Sequence, residues 1–290
     1  MPELPEVETV KRGLHKLIIG RTIASIRFDN TGSFQNNVGD IARFAERTTI
    51  RDVRRRAKVL LIDLDDDYTL VIHLKMTGQL VFVDSGSRFG AGHPSDSLVG
   101  ELPDKSTRVI FEFTNGSRLY FNDQRKFGWI RLLPTVEVPN IDFMQKVGPE
   151  PLESGFTVDE FIERFKRRSR TSIKAALLDQ TVIAGIGNIY ADESLWGAKI
   201  HPKRLVGSLT TTELKRLYKE IRAVMNLALE KGGSTDKNYV NAEGKKGSYL
   251  DFARVFRREG LPCPRCGTPI VKLRVAGRGT HICPKCQHLN

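Results

Sequence analysis

The chain has 290 residues, 40% of them hydrophobic and 28% charged, with 46 Lys+Arg against 34 Asp+Glu and a formal net charge of +12. That apolar content fills ordinary cores, the length suggests about two domains, and no apolar run approaches the roughly 20 residues needed to span a bilayer. The basic excess is clustered, which points to a polyanionic partner, and to nucleic acid rather than a membrane surface, because no basic segment is also a long amphipathic helix with aromatic anchors.

In chain order, residues 3–19 place Val7, Val10, Leu14 and Ile18 at helical spacing, closed by Gly20. Pro2 and Pro5 suit a first helical turn, and Glu3, Glu6 and Glu8 suit its positive end. Removal of Met1 before a small residue leaves a free secondary amine at Pro2. An α-amino group titrates at about 8, against about 10.4 for lysine, so it is the easier nucleophile to deprotonate. A secondary amine attacking a sugar carbon yields an obligatorily cationic iminium, a good electron sink for elimination. On composition alone, an ordinary helix start remains the favoured reading of this segment.

From Thr22 to Leu133 the period switches to two, with β-rich runs at 58–64, 69–74, 80–83, 108–114 and 117–122 and a hairpin signal at Thr114-Asn115-Gly116-Ser117. This predicts a mostly antiparallel sandwich. Within it, residues 51–58 hold five bases, and the polar, Gly/Ser/Pro-rich stretch 84–106 reads as a long flexible loop. Asp123-Gln124-Arg125-Lys126-Phe127-Gly128 follows a strand. An exposed Arg beside an exposed Phe suits a wedge entering a base stack, and a Phe buried in a sheet corner is the alternative.

Helical periodicity dominates from Thr157 to Lys231, with candidates at 157–168, 172–179, 188–197 and 211–231 and a capping pattern at Thr210-Thr-Thr-Glu213. Residues 164–174 carry six bases and no acid. Gly185-Ile-Gly187-Asn188 opens a helix and presents N–H groups suited to a phosphate, although a packing turn explains it equally well. Gly232-Gly233 ends the helices, and 234–250 reads as a polar, mobile segment.

The tail from Arg254 to Asn290 has eight bases and one acid, and it holds all four cysteines of the chain. Cys263-Pro-Arg-Cys266 and Cys283-Pro-Lys-Cys286 are separated by sixteen residues, which is zinc-ribbon spacing for one structural zinc ion held by four thiolates. Paired disulfides would need an oxidising compartment, and the N-terminus has no signal-peptide pattern, so a cytoplasmic location is expected. A redox motif leaves the second matched pair unexplained.

Taken together, PELPEVE at the N-terminus, Arg55-Arg56-Ala57-Lys58, His73-Leu-Lys-Met76, Gln124-Arg125-Lys-Phe127-Gly, Gly187-Asn188-Ile-Tyr190 and Ala276-Gly-Arg278-Gly-Thr-His281 resemble the formamidopyrimidine-DNA glycosylase family across essentially the whole chain. The sister endonuclease VIII group is a poorer match at the N-terminus and at GNIYADE. The resemblance implies an α+β, multi-domain fold. An N-terminal β-sandwich with a flanking helix would span 1–134 and a hinge 135–151. A helix-two-turns-helix domain would span 152–250, with a lesion-capping loop at 234–250, and a zinc finger 251–290. It further implies a monomeric, nucleoid-associated enzyme that excises oxidised purines from double-stranded damaged DNA through a Pro2 Schiff base, followed by β,δ-elimination.

By the same resemblance Pro2 is the nucleophile and Glu3 the acid/base, with Glu6 in support. Lys58 assists elimination and holds phosphate. Phe127, Arg125 and Met76 fill the void left by the extruded base. Asn188 and Arg278 grip phosphates, Arg278 also serving the second elimination, and His73 contacts phosphate. Lys174 lies near the lesion, with Arg170 substituting for an upstream lysine replaced by Ser169. Tyr239 is a loop contact, beside Lys237 where the family usually has arginine. Lys105-Ser-Thr-Arg108 lacks the family's usual histidine. The competing readings are a catalytically silent binder of damaged DNA and a zinc-ribbon protein of transcription, and the latter ignores everything before the tail.

Overall fold

The computed structural model describes residues 1–234 and 249–289. They form two compact units: Met1–Gln145 with the described residues from Lys231, and Lys146–Glu230 with the described residues from Tyr249.

The first unit opens with α1 (Leu4–Ile18), whose residues Val7, Val10, Leu14 and Ile18 are fully buried. Their spacing puts them on one stripe, which is the face the helix gives to the core. Nine strands follow: β1 (Ile23–Phe28), β2 (Ile50–Arg56), β3 (Val59–Leu64), β4 (Tyr68–His73), β5 (Gly78–Asp84), β6 (Ser87–Gly92), β7 (Thr107–Phe113), β8 (Arg118–Asp123) and β9 (Trp129–Pro134). One sheet has the order β1-β7-β8-β5-β6 and the other β2-β3-β4-β9, with antiparallel pairing throughout. A single apolar core joins them, with Val53, Ile62 and Ile72 from one sheet packed with Phe82, Phe111 and Phe121 from the other. The sandwich expectation therefore holds. A short helix, α2 (Val38–Phe44), interrupts the stretch read as uniformly period two, and the Asn37 side chain caps it at 2.8 Å from the Asp40 amide.

The stretch 84–106 is not the long flexible loop its composition suggested. Ser87–Gly92 pairs with β5 as an edge strand, Phe89 and Leu98 are buried, and Gln79 Nε2 donates to Ser95 Oγ at 2.7 Å. Strand pairing uses backbone groups, so a Gly/Ser-rich composition conceals it. α1 comes so close to this strand that a Cβ on Gly13 would lie 2.0 Å from the Phe89 ring. Past β9, Val138, Ile141, Phe143 and Met144 cover the outer face of the four-stranded sheet, the last two from α3 (Asp142–Lys146).

The second unit contains α4 (Val158–Lys166), α5 (Ile173–Leu178), α6 (Asn188–Gly197), α7 (Thr211–Glu230) and a hairpin of β10 (Val271–Val275) and β11 (Arg278–Ile282). Thr157, Ser172 and Thr210 each cap the helix that follows, and Glu213 closes the capping box by accepting from Thr210 N at 2.8 Å. Tyr190 to Gly197 are all buried, so α6 is the central element, packed against α5, α7 and β11. No described helix is long and apolar enough to cross a membrane.

Candidate functional site

At the N-terminus Pro2 and Glu3 are buried at the mouth of α1. Glu6, one turn in, accepts from Glu3 N at 2.7 Å through Oε2 and from Ser234 N at 2.6 Å through Oε1. One carboxylate thus fixes both the approach to Pro2 and the chain at residue 234. Gly233 has φ +88, and a Cβ there would lie 2.9 Å from Glu6 Oε1, so glycine is needed for the approach.

Lys58 is buried in the two-residue turn that closes β2 onto β3, where Ala57 has φ 52. Arg55 ties this turn to α1: it donates to Ala57 O and to Glu8 Oε2, each at 2.9 Å. Burial raises the Glu8 pKa, but the bond and charge of Arg55, helped by Arg12 and Lys11, more than offset it and hold the carboxyl below its ordinary value. Arg55 belongs to the quoted Arg55-Arg56-Ala57-Lys58 motif, which assigned it no role, and its bonds make it the tie between this turn and α1.

His73 pairs with Val59, the residue after Lys58. Burial, then the charges of Lys75 and Lys58, push its pKa down from 6.5 to about 3, so the ring is neutral. Its Nδ1 accepts from Lys75 N at 3.0 Å, which leaves the hydrogen on Nε2.

The turn between β8 and β9 carries Arg125 and Phe127, both exposed, with the Arg125 guanidinium 4.7 Å from the Phe127 ring centroid. Phe127 is 52% exposed, too much for a core residue in a sheet corner. The fully buried Asp123 organises this turn. Its Oδ1 accepts from Arg125 N at 3.1 Å and from the Thr77 hydroxyl, and its Oδ2 accepts from Phe127 N at 2.8 Å and Gly128 N at 2.6 Å. Met76 is half-buried beside Thr77. Behind the turn, Arg108 donates to Asp123 O at 2.9 Å, to Asp29 at 3.0 Å and to Lys105 O at 2.7 Å. Arg108 thus braces the turn of Arg125 and Phe127 from inside.

In the second unit Asn188 starts α6 and donates through Nδ2 to Gly279 O at 2.9 Å, which places it beside Arg278. Arg278 is exposed at the tip of the hairpin, where Val275 pairs with Arg278 across Ala276 and Gly277, at φ 50 and 72. Two successive positive φ values make the tight turn that matches strand twist. Arg170 is exposed in the turn after α4. Lys174 requires a correction, since it is neither a surface DNA contact nor a solvated helix charge. It is fully buried, with Nζ bonded to Asp192 Oδ1 at 2.5 Å and Thr280 Oγ1 at 2.7 Å. Asp192 Oδ2 in turn accepts from His281 N at 2.9 Å. The lysine therefore joins α5, α6 and β11. Lys237 and Tyr239 lie outside the described residues.

The four cysteine sulfurs lie within 4.8 Å of one another and form no disulfide. Cys263–Cys286, Cys266–Cys283 and Cys266–Cys286 are 4.0, 3.4 and 3.5 Å apart. Tetrahedral zinc with bonds of about 2.3 Å sets its sulfurs roughly 3.8 Å apart, so this donor set fits one closed structural zinc site.

Three family models match the chain. They are the formamidopyrimidine-DNA glycosylase N-terminal domain over residues 1–130, the formamidopyrimidine-DNA glycosylase H2TH domain over 147–239, and the zinc finger found in FPG and IleRS over 260–289. The formamidopyrimidine-DNA glycosylase of Desulforamulus reducens is 43% identical over 290 residues, covering 99% of each chain. That of Streptococcus pyogenes serotype M18 is 44% identical over 289 residues, covering 99% of this chain and 98% of its own. Among solved structures, Lactococcus lactis Fpg in complex with DNA containing an abasic site superposes with a TM-score of 0.87 at 35% identity, covering 99% of this chain and 100% of that one. A Lactococcus lactis Fpg mutant bound to Fapy-dG containing DNA matches with the same values.

Proposed function

The chain belongs to the formamidopyrimidine-DNA glycosylase family, and we propose that it is a bifunctional DNA glycosylase/AP lyase that excises oxidised purines from duplex DNA. The observation that carries this reading is the buried N-terminus, where Pro2 and Glu3 are enclosed at the start of α1 and Glu6 accepts from Glu3 N, in a chain matched to the family from end to end.

In this mechanism the target nucleotide leaves the base stack, at a cost of a few kcal/mol. Phe127 wedges into the gap, Arg125 bonds the orphaned base and Met76 fills the remaining space. With Met1 removed, the Pro2 nitrogen bonds to C1′ as the glycosidic bond breaks and the base leaves with the electron pair. Glu3 moves protons at the sugar. The opened sugar forms an iminium on Pro2, and loss of a C2′ proton expels the 3′ phosphate. A second elimination, in which Arg278 takes part, expels the 5′ phosphate. The positive charge of Lys58 favours the neutral, nucleophilic amine and the Glu3 carboxylate opposes it. His73 Nε2, Asn188, Arg278, Arg170 and Lys58 are phosphate donors, and Tyr239 is a contact of the capping loop. Lys174 is left out of the contacts because its ammonium is enclosed. Zinc supplies rigidity to the hairpin and no chemistry.

The reading is tested by incubating the protein with duplexes carrying 8-oxoguanine, formamidopyrimidine or an oxidised pyrimidine and resolving the end products. Strand cleavage leaving phosphate on both sides of the gap, lost when a tag blocks Pro2, is expected. Lesion binding that is unaffected by the tag, with no cleavage before or after, would mean a silent binder.

A further inference from the structure

α6 reaches the metal site as well as the hairpin. Its side chain near the C-terminal end, Trp196, is 6% exposed and packs with Val255, Cys263, Ile270 and Cys283. The indole Nε1 lies 3.4 Å from Cys263 Sγ. Indole nitrogen is a donor only, so the direction of this bond is fixed: the N–H points at the thiolate. A second donor, Arg265 N, reaches the same sulfur at 3.4 Å.

The ring itself is locked. The Arg265 guanidinium carbon sits 3.9 Å from the indole centroid and that of Arg254 5.4 Å. Arg265 also donates to Trp196 O at 3.0 Å and Gly197 O at 3.3 Å, closing the carbonyl end of α6. The other cysteine pair is tied to the chain just beyond α6: Gln287 Oε1 accepts from Cys283 N at 3.0 Å while its Nε2 donates to Ile200 O at 2.9 Å. The helical part of the unit thus holds the zinc knuckles through three hydrogen-bonded bridges, made by Trp196, Arg265 and Gln287, the first of which ends on a ligand atom.

We propose that Trp196 is an outer-sphere residue of the zinc centre, whose N–H sets how firmly Cys263 holds the metal. Four thiolates around one zinc ion leave two net negative charges in a partly buried place. An N–H donor aimed at a ligand sulfur offsets that charge and fixes the sulfur's orientation. Loss of such a partner typically costs about 10- to 100-fold in metal affinity. The donor comes from α6, so zinc retention depends on the packing of the helical part as well as on the four cysteines. The proposal rests on the zinc reading of those cysteines.

The test uses Trp196→Phe, which keeps the ring under Arg265 and removes only the N–H, beside Trp129→Phe, which alters the only other tryptophan. Zinc transfer from the full chain to a chromophoric chelator is expected to be about tenfold faster in Trp196→Phe and unchanged in Trp129→Phe. A transfer rate equal to wild type in Trp196→Phe overturns the proposal. A second measurement needs no variant: in wild-type protein loaded with cadmium-113, a scalar coupling between the metal and the Trp196 indole proton is expected across the N–H···S bond. A loaded centre without that coupling overturns the role of Trp196 alone. A chain that takes up neither metal overturns the zinc reading and the proposal with it.

Discussion

Asp123 shows how much of the site rests on a residue that touches no ligand. Both of its oxygens accept backbone N–H bonds, from Arg125 on one side and from Phe127 and Gly128 on the other. Asp123→Asn must therefore set an amide donor against another donor whichever way it turns. At a fully buried position this is expected to cost about 2–3 kcal/mol in urea unfolding and to reduce excision from a lesion duplex. Wild-type stability with wild-type excision would refute the brace. His73 provides a pH signature. Its pKa is about 3 folded, against 6.5 for the free group, so between those values the unfolded chain binds a proton that the folded chain does not. Stability is unaffected above 6.5 and falls as pH drops toward 3. His73→Gln should show a shallower decline of the urea midpoint over that range, and parallel declines would contradict the shift. The four cysteines were legible because their spacing is local in the chain, whereas Pro2, Glu3 and Lys58 were singled out through the family resemblance, since composition alone reads the N-terminus as an ordinary helix start. Asp123 was not legible, because an aspartate before a turn is ordinary until the turn is seen to fold back over it.

Among the elements, the helices and central strands followed from periodicity, and the departures have separate causes. α1 was read as 3–19 and runs Leu4–Ile18, since its apolar stripe has a single face to bury. Edge strand β6 was hidden by glycine and serine. Lys174 was placed near the lesion by resemblance and its burial went unseen, because its partner Asp192 lies on α6 and pairing across elements leaves no local pattern. That pair makes a firm prediction. Lys174→Met leaves the buried Asp192 carboxylate without its cation and should destabilise the second unit by about 3–5 kcal/mol in thermal or urea unfolding. A change below about 0.5 kcal/mol, the size of an ordinary surface substitution, would show that the lysine is not the node described.

For the molecule as a whole, the net charge of +12 is spread over both units: Lys58 and Arg125 belong to the first, Arg170 and Arg278 to the second. On the proposed function each unit would bring its own contacts to DNA, and a zinc ion on the four cysteines would hold the hairpin that carries Arg278. The account depends most on the amine of Pro2. Reaction with an 8-oxoguanine duplex in the presence of borohydride, followed by proteolysis and mass spectrometry, reads that nitrogen directly. A reduced sugar adduct on the N-terminal peptide, at Pro2 and with Met1 absent, is the predicted result. An adduct on Lys58 or another lysine, or base release with no trapped adduct at all, would contradict the account.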